Sequence, residues 1–256
     1  MSIKYREDPD LEFLKECDND DLKALSDILI FTKSGRKRWT QELADERDFR
    51  LCGGNYRQVY DLIAGELQLF GGDTIANLFR KRHGLLYRDI LINVCKKMRV
   101  NFNRKSDTEK IEMNLLLKIV EEALDKMTEA EKREVVKDMK LDVEQMTTQA
   151  IVAALQTAIK IGGFRSYQIA AIVANAVWRA LFGKGLPLVG NQTLMRMLSI
   201  FSGPIGIAIN IILTLPLIAG PAYRILIPAV IQVAYIRQRL QQEQANGNED
   251  TVNKAA

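Results

Sequence analysis

Residues 205–236 read IGIAINIILTLPLIAGPAYRILIPAVIQVAYI. Two apolar runs, 205–219 and 225–236, flank Gly220 and Pro221, and Arg224 is the one charge among them. Pro221 cannot donate to a continuing helix and Gly220 tolerates a left-handed helix ending, so this pair reads as the turn of a helical hairpin. About 20 apolar residues suffice to cross a bilayer, and each arm falls in the shorter range shared with buried core helices. Two readings follow: a hairpin buried in a helical bundle, or one that enters or lies in a membrane.

The surroundings weigh on that choice. From 145 to 242 there is no Asp or Glu, while eight basic residues occur: Lys160, Arg165, Arg179, Lys184, Arg196, Arg224, Arg237 and Arg239. Residues 1–144 are net −2, residues 145–242 net +8 and the tail from Glu243 net −2, within a chain total of +4. A soluble surface normally mixes both signs. An apolar surface that is basic and free of acid suits anionic lipid, so the composition favours the membrane reading. Lys160, Arg165, Trp178, Arg179, Lys184, Arg196, Ile212 and Arg224 are therefore the candidate lipid contacts. The net acidic first part is expected to show no preference for anionic lipid.

No stretch alternates with period two for long enough to make a strand, and helical periodicity runs throughout, so the fold is expected to be all-α. Residues 1–140 read as a soluble helical domain, 141–244 as an apolar, basic helical domain and 245–256 as a polar, disordered tail. Asp8-Pro9 is a helix start. Thr40 is a cap for a helix through about Arg47. Ser106 with Glu109, and Thr128 with Glu131, are capping boxes. Helices are expected over 148–161, closed by Gly162-Gly163, and over 166–182, nearly apolar on all sides. Asn191 can cap another that ends near Phe201, before Gly203-Pro204, and the last runs from about Pro221 to Gln244.

Little in the chain suggests catalysis, and no enzyme activity is expected. His83 is the sole histidine, which argues against the usual histidine metal sites and any histidine pair. Spacing allows a dyad of His83 with Cys52 or Cys95, but beside Gly84 His83 reads as a helix end. The three cysteines, Cys17, Cys52 and Cys95, match no zinc pattern and suit a reducing compartment. The N-terminus carries no apolar leader. A bacterial-type cytoplasm is expected, peripheral at or inserted in the inner membrane. No cofactor or metal is expected.

Gly71, Gly72 and Asp73 form a weak anion-site candidate if Asp73 opens a helix, although a tight helix–helix corner is favoured there. Asn175 and Asn210 read as interhelical hydrogen-bonders. Two basic clusters, Arg36-Lys37-Arg38-Trp39 and Arg80-Lys81-Arg82-His83, lie in the net acidic part and read as solvated faces, so no nucleic-acid partner is expected. The expected partner is an anionic membrane surface or a membrane-protein client, and homo-oligomerisation is compatible with either.

The segments 5–14 (YREDPDLEFL), 66–74 (ELQLFGGDT) with Asn77, and 219–232 (AGPAYRILIPAVIQ) resemble the YaaW-like family of bacterial proteins over most of the chain, excluding the tail. The central part, about 40–140, is distantly similar to ubiquinol–cytochrome c chaperones. The resemblance implies an all-α fold and a role in handling a membrane-protein client, and it supplies no catalytic residues. Three function classes follow: a membrane-associating protein able to insert its hairpin like a pore-former, a soluble assembly or chaperone-like factor that offers an apolar surface to its client, and an enzyme. The first is the main expectation.

Overall fold

A computed structural model of the chain describes residues 3–73, 84–161, 163–186, 192–214 and 222–255. The fold is all-α. Its helices are α1 (Asn19–Ile30), α2 (Arg47–Leu51), α3 (Tyr60–Asp73), α4 (Tyr87–Lys97), α5 (Thr108–Leu124), α6 (Glu129–Asp138), α7 (Thr148–Ile161), α8 (Gly163–Phe182), α9 (Gln192–Thr214) and α10 (Tyr223–Ala255). Short 3-10 turns occur at Glu12–Glu16, Leu43–Asp45 and Tyr56–Val59. Among the described residues the only β pairing is an isolated bridge between Phe31 and Lys37.

The chain forms two compact units that do not follow the division at 140 read from composition. One comprises Met1–Glu112 and Ile212–Val233, the other Met113–Ile211 and Ala234–Ala256. Helices α5, α9 and α10 each contribute residues to both.

In the first unit α3 packs against α1 and α4. Leu22, Leu25, Ile28, Ile63, Leu67, Ile90 and Leu91 are buried there. Backbone approaches leave no room for side chains at two glycines. A Cβ on Gly65 would lie 2.6 Å from Ile3, and one on Gly71 would lie 2.5 Å from Ile90.

A buried polar network holds the N-terminal segment on these helices. The Gln68 side chain is fully buried. Its Oε1 accepts from the Arg6 amide at 2.9 Å, and its Nε2 donates to the Arg6 carbonyl at 2.8 Å. The same Nε2 donates to Asp8 Oδ2 at 3.2 Å. That oxygen also accepts from the amide of Tyr87, the first residue of α4, at 2.6 Å. Asp8 thus caps a helix 79 residues away in sequence. The Tyr87 hydroxyl donates to Glu112 at 2.6 Å and lies 3.5 Å from the Val230 carbonyl. Asp8-Pro9, read as a helix start, instead precedes the 3-10 turn Glu12–Glu16.

In the second unit, α7 and α8 pack together. Residues 168–178 of α8 are buried on every side, as their apolar composition predicts. The capping box at Thr128 is complete, with Glu131 donating its amide to Thr128 Oγ1 and accepting the Thr128 amide. Gly183 ends α8 at φ +74°. Asn175 Oδ1 accepts the Leu186 amide at 3.0 Å, which holds the turn after α8.

Several boundaries differ from the sequence reading. α5 begins at Thr108, one residue later than a box on Ser106 requires, and the Asp107 side chain pairs with Lys110. The helix expected from Thr40 is only a 3-10 turn followed by α2. Gln41 Oε1 takes the Ala44 amide and Glu66 Oε1 takes the Glu42 amide, so side chains replace helical carbonyls as partners there. α9 passes straight through Pro204. Proline inside a helix costs about 3 kcal/mol, and burial of Pro204, Ile205, Ala208 and Ile209 offsets it. The tail expected to be disordered continues α10 to Ala255. Bonds four residues apart, Arg239 to Glu243 and Gln242 to Asn246, support α10 as far as Asn246.

Removing the Asp8 carboxylate leaves the Tyr87 amide unpaired. Asp8→Ala is expected to lower stability by about 3 kcal/mol, and Asp8→Asn by about half as much. Urea denaturation of the full chain checks both values. Because Ile212–Val233 completes the first unit, the fragment 1–140 is expected to bind a hydrophobic dye and melt without cooperativity. Linking residues 222–244 to it should restore a cooperative transition in calorimetry.

Candidate functional site

The cations of the acid-free stretch lie mostly on the surface. Lys160, Arg179, Lys184, Arg196 and Arg224 are exposed. Arg165 is half-buried and donates to Gln168 Oε1 at 3.1 Å. Arg196 forms an ion pair with Asp138 at 2.7 Å, so this cation finds its acid at the end of α6. Arg237 is buried.

The apolar candidates are inside. Trp178 is 6% exposed, with its ring 4.3 Å from that of Phe182. Ile212 is 2% exposed, and residues 225–236 are buried throughout. The helical stretch read as a hairpin arm over 225–236 is therefore core in the folded chain. Gly220 and Pro221, the expected turn, lie outside the described residues, as do Asn191 and His83.

Gly71, Gly72 and Asp73 are the last three residues of α3. They stand at a carbonyl end, whereas anion binding needs the free amides of a helix start. At Gly71 α3 lies close against Ile90 of α4. Cys95 is buried, and burial together with nearby Glu112 pushes its thiol up to about 12. That disfavours the thiolate, the form a nucleophilic cysteine needs. Among the described residues no group of three His, Cys, Asp or Glu side chains gathers as a metal site.

What sequence reasoning missed is the outer face of α9. Leu194–Ile212 is long and apolar enough to cross a membrane, yet only 44% of that window is buried. Met195 is 54% exposed, Ile207 52% and Ile211 39%. Met195, Ser199, Gly203, Ile207 and Ile211 are exposed and recur every fourth residue, so successive members are neighbours in a row that winds about 160° round the helix from first to last. Arg196 and Asn210 flank this line, and it carries no acid. The small residues at 199 and 203 have the spacing that lets another helix approach closely. The signal was present in the four-residue recurrence, but the apparent break at Gly203-Pro204 divided it.

Residues 55–225 match the Ubiquinol-cytochrome C chaperone family, and residues 5–39 match a domain of unknown function, DUF3944. The chaperone similarity thus extends well beyond the central part in which it is visible by eye. A UPF0174 protein of Helicobacter pylori strain J99 is 43% identical over 249 residues, covering 97% of this chain and 96% of the relative. The chain belongs to the UPF0174 family. A second UPF0174 protein of that strain is 36% identical over 79% of this chain and 99% of its own length. The UPF0174 protein YaaW of Escherichia coli strain K12 is 31% identical over 93% of this chain and 97% of its own. The YaaW-like resemblance seen in the three sequence segments is thereby shown. No solved structure matches.

Ile212 separates core from surface on α9. Ile212→Asp buries an unpaired carboxylate and is expected to destabilise the protein in solution by about 3–5 kcal/mol. Ile207→Asp, on the exposed side, should change stability by less than about 1 kcal/mol. Thermal melts of the two variants make the comparison.

Proposed function

We propose that this UPF0174 member is a non-enzymatic, chaperone-like assembly factor that presents the outer face of α9 to an apolar helix of a membrane-protein client. The observation that carries the reading is the exposure of Met195, Ile207 and Ile211 on a helix otherwise apolar enough to span a membrane. An acid-free line of small and apolar residues suits a helix with no charge of its own. The match to the Ubiquinol-cytochrome C chaperone family over residues 55–225 supports the same class of activity. Free cysteines, two of them buried, fit work at the cytoplasmic side of a membrane.

Insertion of residues 205–236 as a hairpin is the second reading, favoured by the candidate span Leu194–Ile212. It requires Ile212 and residues 225–236 to leave the core, with loss of the packing that Ile225, Ile227, Val230 and Ile231 provide. A factor that holds its client needs no such rearrangement, so we rank it first.

A synthetic transmembrane peptide of leucine and alanine serves as the test client. The full chain is expected to keep it in solution at stoichiometric ratio. Each of the three exposed side chains contributes about 1 kcal/mol on burial. Ile207 and Ile211 lie about 40° apart and Met195 about 120° from Ile207, so one client helix covers the two isoleucines, and the triple variant Met195→Gln, Ile207→Gln, Ile211→Gln should bind about thirtyfold more weakly with its melting curve unchanged. Unaltered affinity in the triple variant would remove α9 as the client face. Pelleting of the full chain with membranes through alkaline carbonate would favour insertion instead.

A further inference from the structure

The loop after α1 presents an unusual surface. From residue 28 to 41 there is no acid, while Lys33, Arg36, Lys37 and Arg38 supply four positive charges. Lys33, Arg36 and Lys37 are exposed, and Trp39 is 95% exposed. Tryptophan is normally among the more buried side chains. Here one of the chain's two tryptophans stands outside the fold beside three exposed cations.

The loop is a built hairpin rather than an open tether. The Arg38 amide donates to the Ile30 carbonyl at 2.7 Å, and the Thr32 amide to the Arg36 carbonyl at 2.8 Å. Gly35 turns the chain at φ +74°, with its amide on the Thr32 carbonyl at 2.9 Å. The Arg38 guanidinium leans back over the carbonyl end of α1, 3.5 Å from the Ile28 carbonyl oxygen. That anchors the base of the hairpin and leaves its rim to Lys33, Arg36, Lys37 and Trp39.

We propose that this hairpin docks the protein on an anionic phospholipid surface, with Trp39 seated at the headgroup level and Lys33, Arg36 and Lys37 on the phosphates. Tryptophan concentrates at membrane–water interfaces, where its apolar ring and polar N–H meet matching layers. Basic residues beside it are drawn to the negative potential of anionic lipid. The geometry points to lipid rather than nucleic acid, because single strands are held in grooves by several stacking aromatics. A hairpin with Trp39 as its one exposed aromatic offers no such series. The net acidic charge of residues 1–144 hides this local excess, and the proposal departs from the expectation that the first part ignores anionic lipid.

The docking is independent of the α9 reading, since the two surfaces share no residue. Sedimentation of the full chain with vesicles tests it, using phosphatidylcholine alone and phosphatidylcholine mixed with phosphatidylglycerol. Binding to the mixed vesicles is expected, weakened by added salt, with a blue shift of Trp39 emission that Trp39→Phe removes. The triple variant Lys33→Ala, Arg36→Ala, Lys37→Ala should lose about a hundredfold in partitioning, at about fivefold per charge. Trp39→Ala should lose on the order of tenfold. Circular dichroism should be unchanged, as all four side chains are exposed. Peptide holding should survive these changes, and vesicle binding should survive the α9 variant. Equal binding to both vesicle types, binding untouched by the loop variants, or preference for a single-stranded oligonucleotide at equal phosphate concentration would each overturn the proposal.

Discussion

A carboxylate removed from water must be given donors, and that constraint organises the first unit. Asp8 is 1% exposed. Its donors are the Tyr87 amide at the start of α4, the Gln68 amide group on α3 and its own near neighbour Asp10. Meeting those bonds fixes where the N-terminal segment lies, how α3 is rotated and where α4 begins. Buried polar networks of this kind specify one arrangement because a half-made network is worse than none. The glycines at 65 and 71 follow from the same placement, since the segment and α4 come too close for a Cβ. The network also joins the two family matches: Asp8 lies in the DUF3944 part and Gln68 and Tyr87 in the chaperone-like part.

The missing acid in residues 145–242 has a simple physical source. Helix α8 is buried around residues 168–178 and α10 around 225–236. Carboxylates without partners are excluded from such positions, and the charges that flank them on the two helices are the arginines Arg165, Arg179, Arg224 and Arg237. An acid-free composition therefore records burial as well as it records affinity for lipid. What remains on the surface is the side of α9, apolar where a solvated helix would be polar. It is this face, rather than the buried hairpin stretch, on which the proposed client contact rests.

Local rules made much of the fold legible. The Thr128 box, the 148–161 helix and the stop at Gly183 rest on interactions within a few residues, and they stand as read. The Asp8 network was illegible because its partners are 60 and 79 residues away. Pro204 misled because its penalty is local while the burial that offsets it is tertiary. Trp39 was hidden by averaging: four cations disappear in the balance of 144 residues, and only the fold shows that the ring has nothing to cover it. Arg224, the one charge between the two apolar runs, is exposed.

The discontinuity of the first unit has a consequence during synthesis. Glu112 and Ile212, which share that unit, are separated by the whole of Met113–Ile211. A ribosome adding roughly 5–20 residues per second needs about 5–20 seconds to cross that interval. Throughout it, the apolar faces that will meet α10 have no covering helix, so the unit closes only near the end of translation. A protein read as a holder of other chains' apolar helices must itself wait, uncovered, for its own.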